Sequence, residues 1–323
     1  MKISVIIPVR NEIEKLRKCV ASLRYSSLQP NQIIVVDDGS SPQIKADAFG
    51  SDISVINLPE QGGPAHARNI GAKSADGEII LFLDADIYVE RDTLHKIERL
   101  FSEQSEDAVV GVFDDSKKYG SFFSDYKNLW MRYTYEKSAP RAALFYTSVA
   151  AIKKEVFTAT RGFDERYIYP SIEDTVFGNQ LWDLGKRPLI SLDIKVFHDK
   201  EYSFSSILKT DLLRSSDLVK MKLRKDVGNV LEGNRTSVPV SFMISVAATM
   251  TFLLLSLITR NFALFACFML APAVLNLNFL WWLYRKRGLI FSLRSALFLP
   301  IDHLAVFSGI IHGLLSHFLS GIF

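Results

Sequence analysis

Cysteine is scarce in this chain: Cys19 and Cys267 are the only two among 323 residues. Two thiols so differently placed make no disulfide framework, so the fold must be carried by a core, and a reducing compartment is expected. Acidic residues almost vanish from one end. From Pro239 onward the charged residues are Arg260, Arg285, Lys286, Arg287, Arg294 and one acid, Asp302. Of 38 basic and 35 acidic residues in all, 33 and 34 fall in 1–238, a net of −1. The overall charge of +3 therefore belongs to an apolar tail and argues against a nucleic-acid partner. At the amino end, M-K-I-S-V-I-I-P-V-R has an apolar run too short for a signal-peptide core, and Pro8 interrupts it. The polar part is expected to stay in the cytoplasm.

What is present begins with Glu78 to Val89, E-I-I-L-F-L-D-A-D-I-Y-V. Ile79, Ile80, Leu81, Phe82 and Leu83 form the unbroken apolar run of a strand buried on both faces of a parallel sheet. The strand delivers Asp84 and Asp86 to its carboxyl end, where open α/β sheets bind ligands. Two acids one residue apart can hold a hard divalent cation whose other positions go to water and phosphate. Solvated turn residues after a core strand are the alternative. Ahead of this stretch, Ile3 to Ile7 forms a strand ended by Pro8. Asn11 then caps a helix with Ile13, Leu16, Val20 and Leu23 on its buried face. Gln32 to Val36 forms a second strand, followed by Asp37 and Asp38. Ile53 to Ile56 makes a third, Gly62-Gly63-Pro64 a turn, and Ala65 to Ala72 a short helix. This alternation predicts an α/β fold with a mainly parallel, Rossmann-like sheet flanked by helices.

Four segments in order, S-V-I-I-P-V-R-N-E (4–12), V-V-D-D-G-S (35–40), G-G-P-A-H-A-R-N (62–69) and L-D-A-D (83–86), resemble the nucleotide-sugar half of a family 2 glycosyltransferase with the GT-A fold. The resemblance covers about 3–200 and implies a nucleotide-diphosphate sugar donor with a divalent cation, Mn or Mg. It implies that Pro8, Arg10, Glu12, Asp38, Arg68, Asp84 and Asp86 form the donor side. Arg10 and Asp38 could offer a guanidinium plane and a carboxylate acceptor to a nucleotide base, although many relatives carry an aromatic residue in place of Arg10. Glu12 is equally readable as first-turn helix chemistry. Arg68 suits a diphosphate, with a surface salt bridge as the other reading. A structural role is expected for His66.

Further on, T-S-V-A-A-I-K-K-E-V-F (147–157), R-G-F-D-E-R-Y (161–167) and S-I-E-D-T-V-F-G-N-Q-L-W-D-L-G (171–185) resemble the family's acceptor side. Glu173 and Asp174 match its acidic pair, and Asp174 matches the catalytic base. An acid at a helix N-terminus stays ionised and can take a hydroxyl proton; a plain helix cap is the alternative. His198 is either a third metal ligand beside Asp86 and Asp84, a diphosphate contact or a satisfied structural histidine. The aromatic segment Tyr119 to Tyr146 reads as core or acceptor groove. These boundaries give a GT-A domain at 1–202, with a nucleotide-sugar half at 1–104 and an acceptor half at 105–202.

Ser203 to Lys225 reads as an interfacial amphipathic helix, with Leu208, Leu212, Val219 and Leu223 among Lys209, Arg214, Lys220, Lys222, Arg224 and Lys225. With the polar linker Gly228 to Ser237 it makes up 203–238. The region 239–323 is expected to hold two to three transmembrane helices. Val240 to Thr259 and Phe262 to Tyr284 are long enough to cross a hydrocarbon core of about 30 Å. Basic flanks put their outer ends in the cytoplasm, as does the catalytic domain. Ala296 to Phe323 is a third, less clear span carrying Asp302, His303, His312 and His317; its Gly309 and Gly313 read as a helix-packing face, with a substrate role as the alternative.

The whole reads as a membrane-anchored, metal-dependent, inverting transferase of cell-envelope biogenesis. Its acceptor is a hydroxyl on a glycolipid, a lipid-linked precursor or a surface-polysaccharide precursor. A polyprenyl phosphate, already ionised with its second pKa around 6, would need no base. An inactive membrane scaffold on the same fold would be expected to have lost one of Asp38, Asp84, Asp86 or Asp174, and all are present. A nucleotidylyltransferase would need a glycine-rich loop where P-V-R-N-E stands. The Q-x-x-R-W segment of processive synthases is missing, so single sugar addition is expected.

Overall fold

In a computed structural model, residues 1–116, 118–223 and 235–320 are described. In chain order the elements are β1 (Ile3–Val9), α1 (Ile13–Arg24), β2 (Gln32–Asp37), β3 (Ile53–Asn57), α2 (Pro64–Lys73), β4 (Ile79–Leu83), β5 (Ile87–Val89), α3 (Thr93–Glu103), β6 (Ala108–Phe113), α4 (Phe122–Ser138), β7 (Val149–Lys153), α5 (Lys154–Thr158), α6 (Glu173–Asp183) and β8 (Leu189–His198). There follow α7 (Phe204–Leu223), α8 (Val240–Thr259), α9 (Phe262–Leu275), α10 (Leu277–Arg287) and α11 (Leu289–Ser320). Two compact units result. Within the described residues the first takes Met1–Asp114, Ser138–Lys200 and 235–236; the second takes Asp115–Lys137, 201–223 and 237–320. The second unit thus draws α4 out of the middle of the expected acceptor half. The proposed linker 228–237 lies largely outside the described residues.

The first unit is built on one sheet of eight strands in the order β3-β2-β1-β4-β7-β6-β8-β5. The sheet is mixed rather than mainly parallel. β3, β2, β1 and β4 run parallel, but β7 pairs antiparallel with both β4 and β6, and β5 antiparallel with β8. The connection from β4 to β7 contains no single crossover helix of the βαβ kind, which is what parallel pairing requires. Because β2, β1 and β4 are parallel, their carboxyl ends lie along one sheet edge, and they bring Arg10, Asp38 and Asp84 there.

Ile79 to Leu83 are fully buried, as a doubly covered strand demands. Phe82 stands in a ring cluster that locates the later motifs. Its centroid lies 5.1 Å from Phe163 and 6.1 Å from Phe145, both edge-on, and Phe163 lies 4.5 Å from Phe177 on α6. Aromatic pairs at these spacings each add about 0.5–1.5 kcal/mol beyond area burial. The packing fixes α6, and so the acidic pair opening it, beside the end of β4. Asn11 does not cap α1. It sits at φ +58, its Oδ1 accepts the Ser41 N–H at 2.8 Å, and its own N–H donates to Ser40 Oγ, so it ties the loop after β1 to the loop after β2.

The second unit is helical, with a core of Tyr126, Leu129, Tyr133, Ile207, Phe242, Val246, Phe279 and Phe298. The aromatics of 119–146 are therefore core: Tyr126 and Tyr133 serve this unit, and Phe145 serves the sheet unit. α8 and residues Leu289–Leu319 of α11 are long and apolar enough to cross a membrane. The expected span Phe262 to Tyr284 is broken instead, with α9 and α10 meeting at 65°. Pro272 inside α9 lacks an N–H, and Asn276 at the break spends its side-chain amide on Ser245 Oγ and the Pro272 carbonyl, both at 2.9 Å. α11 begins at Leu289, earlier than expected.

Gly309 and Gly313 pack against α7. A Cβ on Gly309 would run into the Leu212 carbonyl, and one on Gly313 would lie 2.5 Å from that of Ser216, whose hydroxyl bonds His312 Nδ1 at 2.9 Å. Gly309→Leu is therefore expected to destabilise the helical unit by about 1–3 kcal/mol through overpacking. Thermal unfolding of the full chain in detergent checks this, and a Leu in place of exposed Ile311 serves as control. Lys286 and Arg287, read from the sequence as a basic flank, are engaged within the protein. Lys286 pairs with Asp115 at 2.6 Å, and Arg287 donates to the Asp115 carbonyl at 2.9 Å and pairs with Asp125 at 3.4 Å.

Candidate active site

Asp84 and Asp86 leave β4 on a turn closed by the Ile87 N–H on the Asp84 carbonyl at 3.1 Å. They take different partners. Asp84 Oδ1 accepts Arg68 Nη2 at 2.7 Å, and its Oδ2 accepts the Ser148 hydroxyl at 3.1 Å. Asp86, nearly buried, lies 3.5 Å from His198 Nε2. Burial alone would raise the Asp86 carboxyl, but His198, with Lys200 and Lys15, brings it down to about 2. His198 is held flat against Phe113, with ring centroids 4.5 Å apart at 22°, and its register opposite Ile87 sets it beside the turn. The Asp199 N–H donates to the Asp86 carbonyl at 2.7 Å, and the Asp199 carboxylate takes Lys18 at 3.2 Å and the Tyr88 hydroxyl.

Arg68 joins the two halves of the site. Its Nη1 reaches Glu173 Oε1 at 2.9 Å while Nη2 holds Asp84; Arg68 and Glu173 are enclosed, and Asp84 is partly exposed. Burial works against the guanidinium charge, but Asp84 and Glu173 outweigh it and raise the pKa of Arg68. Its buried Nε finds no hydrogen-bond partner among the described residues. The Glu173 Oε2 accepts the Ser171 N–H at 2.9 Å. Asp174, the next residue, is partly exposed at the α6 N-terminus and accepts the Thr175 N–H at 2.6 Å. One guanidinium therefore spans from the strand-end acid to the acid that precedes Asp174.

The other sequence candidates are spread around this group. Asp38 is buried, and its carboxylate accepts the Gly62 and Gly63 N–H groups at 2.7 and 3.0 Å, which holds the glycine turn at the start of α2. Pro8 lies in β1 with its ring half-buried. Arg10 and Glu12 are exposed, and Glu12 pairs with Lys15 at 3.1 Å on the helix surface. His66 has the structural engagement expected of it, with Nδ1 2.8 Å from Glu165; Asn69 ties α2 to the same carboxylate at 2.8 Å and to the Phe163 N–H and carbonyl. Ser148, Phe113, Tyr88 and Asp199 are additional. Ser148 is placed by antiparallel register, in which Leu83 faces Val149, a pairing that local sequence does not display.

Among the described residues no three His, Cys, Asp or Glu side chains are gathered as a metal site. Asp86 and His198 fit as part of one, because a carboxylate oxygen, the ligand type that suits Mn or Mg, and an imidazole nitrogen already face each other. Asp84 is oriented elsewhere, by Arg68 and Ser148.

The profile described as "Glycosyl transferase family 2" matches residues 4–159. Those residues form a family 2 glycosyltransferase domain. Over 172 residues the chain is 29% identical to the pre-mycofactocin glycosyltransferase of Mycobacterium tuberculosis, covering 50% of this chain and 36% of that protein. A glycosyltransferase of Streptococcus pneumoniae, GlyG, is 31% identical over 127 residues, 38% of this chain and 42% of its own length. The chain thus spans less than half the length of these curated relatives. Among solved structures, the mannosyltransferase PcManGT of Pyrobaculum calidifontis, in complex with GDP-Man and Mn2+, superposes with a TM-score of 0.57 at 17% identity, over 97% of this chain and 87% of that one. At that identity the likeness shows the fold, a mixed sheet with flanking helices of GT-A type, followed here by a helical region. The strand-end acids, the glycine turn and Arg68 all fall within the matched domain; Glu173, Asp174 and His198 lie beyond it.

Proposed function

We propose that the chain is a membrane-anchored, divalent-cation-dependent, inverting glycosyltransferase that moves a sugar from a nucleotide-diphosphate sugar to a hydroxyl group. The observation that carries this is the Arg68 bridge, which ties the L-D-A-D strand end to the E-D helix and so assembles donor and acceptor machinery in one place. On this reading the transferase domain extends past the matched residues to about 202, because α6 and β8 complete the sheet unit.

A divalent cation held by Asp86 and His198 would supply charge neutralisation at the departing diphosphate. The rest is done by the chain itself. Asp84 is held in place by Arg68 and Ser148, so the turn before Asp86 keeps its shape. Asp38 holds the Gly62-Gly63 turn against which a nucleotide would lie. Asp174 sits where the helix dipole favours its anion, and it takes the acceptor hydroxyl proton as the oxygen attacks the anomeric carbon from the face opposite the leaving group. A single displacement inverts the configuration. A base in this position supports a hydroxyl acceptor over an already ionised polyprenyl phosphate. The chemistry suits glycolipid, lipid-linked or surface-polysaccharide precursors, with α8 and α11 as spans and the transferase domain on the cytoplasmic side.

The test is isothermal titration of the full-length protein with a panel of nucleotide-diphosphate sugars, with and without Mn. One sugar nucleotide is expected to bind only when the cation is present. His198→Ala is expected to weaken Mn binding by at least about tenfold, since losing even an outer-shell partner of a ligand costs about 10–100-fold, read directly by electron paramagnetic resonance. Flat titrations across the whole panel would overturn the donor assignment.

A further inference from the structure

The loop between the G-F-D-E turn and α6 carries an aromatic side chain that the fold does not use. Tyr169 is 71% exposed, next to the 49%-exposed Ile168, whereas Tyr167 just before them is buried. An exposed large ring of this kind is informative where its backbone is held, because binding then has only the side-chain rotamer left to order. The backbone here is held on both sides. Before Tyr169, the main chain of Ile168 is pressed onto Gly63, where a Cβ would lie 2.5 Å from the Ile168 carbonyl oxygen. Gly63 has φ +91, and its N–H is fixed by Asp38. After it, the Ser171 N–H is bonded to Glu173, which Arg68 connects to Asp84. Only Tyr169 and Pro170 lie between these anchors. The loop thus runs from the glycine turn on the nucleotide side to the acidic pair on the other, and it lifts one ring out along that rim.

We propose that Tyr169 is a stacking platform for a sugar ring of the acceptor, so that the acceptor is a carbohydrate at the point of attack. The inference rests on the transferase reading above. A tyrosine ring offers a rigid, flat, amphipathic face at small entropic cost. One such face matches the axial C–H groups of one pyranose ring, whereas an acyl chain would call for an extended apolar groove. The ring stands five residues before Asp174, on the loop that leads into the helix bearing it, and so on the same stretch of chain as the proposed base. Tyr169 is a binding and specificity residue and takes no part in proton transfer.

The experiment uses the full-length protein in detergent with Mn, the sugar nucleotide it binds, and methyl β-glycosides of glucose, galactose and N-acetylglucosamine as probes. Steady-state kinetics are paired with saturation-transfer NMR of the glycoside ring protons. Tyr169→Ala is expected to raise the acceptor KM by about tenfold, the upper end of what one aromatic contact contributes. The donor KM should change less than twofold, and the glycoside saturation signal should be lost. Tyr169→Phe and Tyr169→Trp are expected to restore both. An unchanged acceptor KM in Tyr169→Ala, an equal rise in donor and acceptor KM, or a Phe variant as poor as Ala overturns the proposal, as does a wild-type protein that binds a sugar nucleotide yet saturates no glycoside protons. Failure to bind any sugar nucleotide would instead remove the transferase reading beneath it.

Discussion

Asp174→Asn is expected to lower kcat by about 10²–10⁴-fold, the range that a positioned general base contributes, while leaving the affinity for the sugar nucleotide and Mn within about twofold. The asymmetry follows from the role proposed for the carboxylate. Proton removal is needed only as the acceptor oxygen attacks, so the loss falls on the transition state and not on donor capture. The substitution is also mild structurally, since Asn keeps an oxygen for the Thr175 N–H that Asp174 now satisfies at 2.6 Å. Titration calorimetry and initial rates on the same preparation separate the two quantities. Equal loss of binding and turnover would mean that Asp174 belongs to the donor site and that another group accepts the proton.

Arg68→Met is expected to be the most damaging change for stability. It leaves the enclosed Glu173 carboxylate, and the partly exposed Asp84 carboxylate, without their shared counter-charge. Breaking a buried ion pair from one side costs about 3–5 kcal/mol, which for a domain of this size amounts to a Tm lower by roughly 10 °C. Arg68→Lys should recover little, because one ammonium cannot fork to two carboxylates on different elements. Arg68→Met combined with Glu173→Gln should recover part of the loss by removing one of the stranded charges, as scanning calorimetry of the three variants would report. A Tm unchanged in Arg68→Met would mean that the bridge is not part of the stable fold and would take away the link between the two halves of the site.

Much of the sheet unit was legible because its signals are local. The run from Ile79 to Leu83 is short and rich in β-formers, as a strand covered on both faces is, and the acids that follow emerge at its carboxyl end. The same logic located β1, β2, β3 and α2, and the resemblance of four short segments indicated the chemistry. Register was not legible. Ser148 meets Asp84 because β7 runs antiparallel to β4, a fact about two strands about seventy residues apart that neither strand carries by itself. Arg68 showed its residue type and its turn, but not that a single guanidinium would reach both Asp84 and Glu173. Asn11 has the composition of a helix cap, yet its side chain is drawn to the loop after β2.

In the helical unit, apolar length alone marked out α8 and the bulk of α11. It could not distinguish a continuous span at 262–284 from two helices meeting at 65°, because that outcome depends on how Asn276 is satisfied by Ser245 of another helix. Nor could it say which helix the Gly309 and Gly313 face would meet. What the amino-acid order determined by itself was which residue types stand at strand ends and helix starts, since those follow from periodicity, Pro and Gly. What only the tertiary structure decided was which of those charges share a bond, because pairing in a buried site depends on distances across the chain that hydrophobic packing sets, here through Phe82, Phe163 and Phe177.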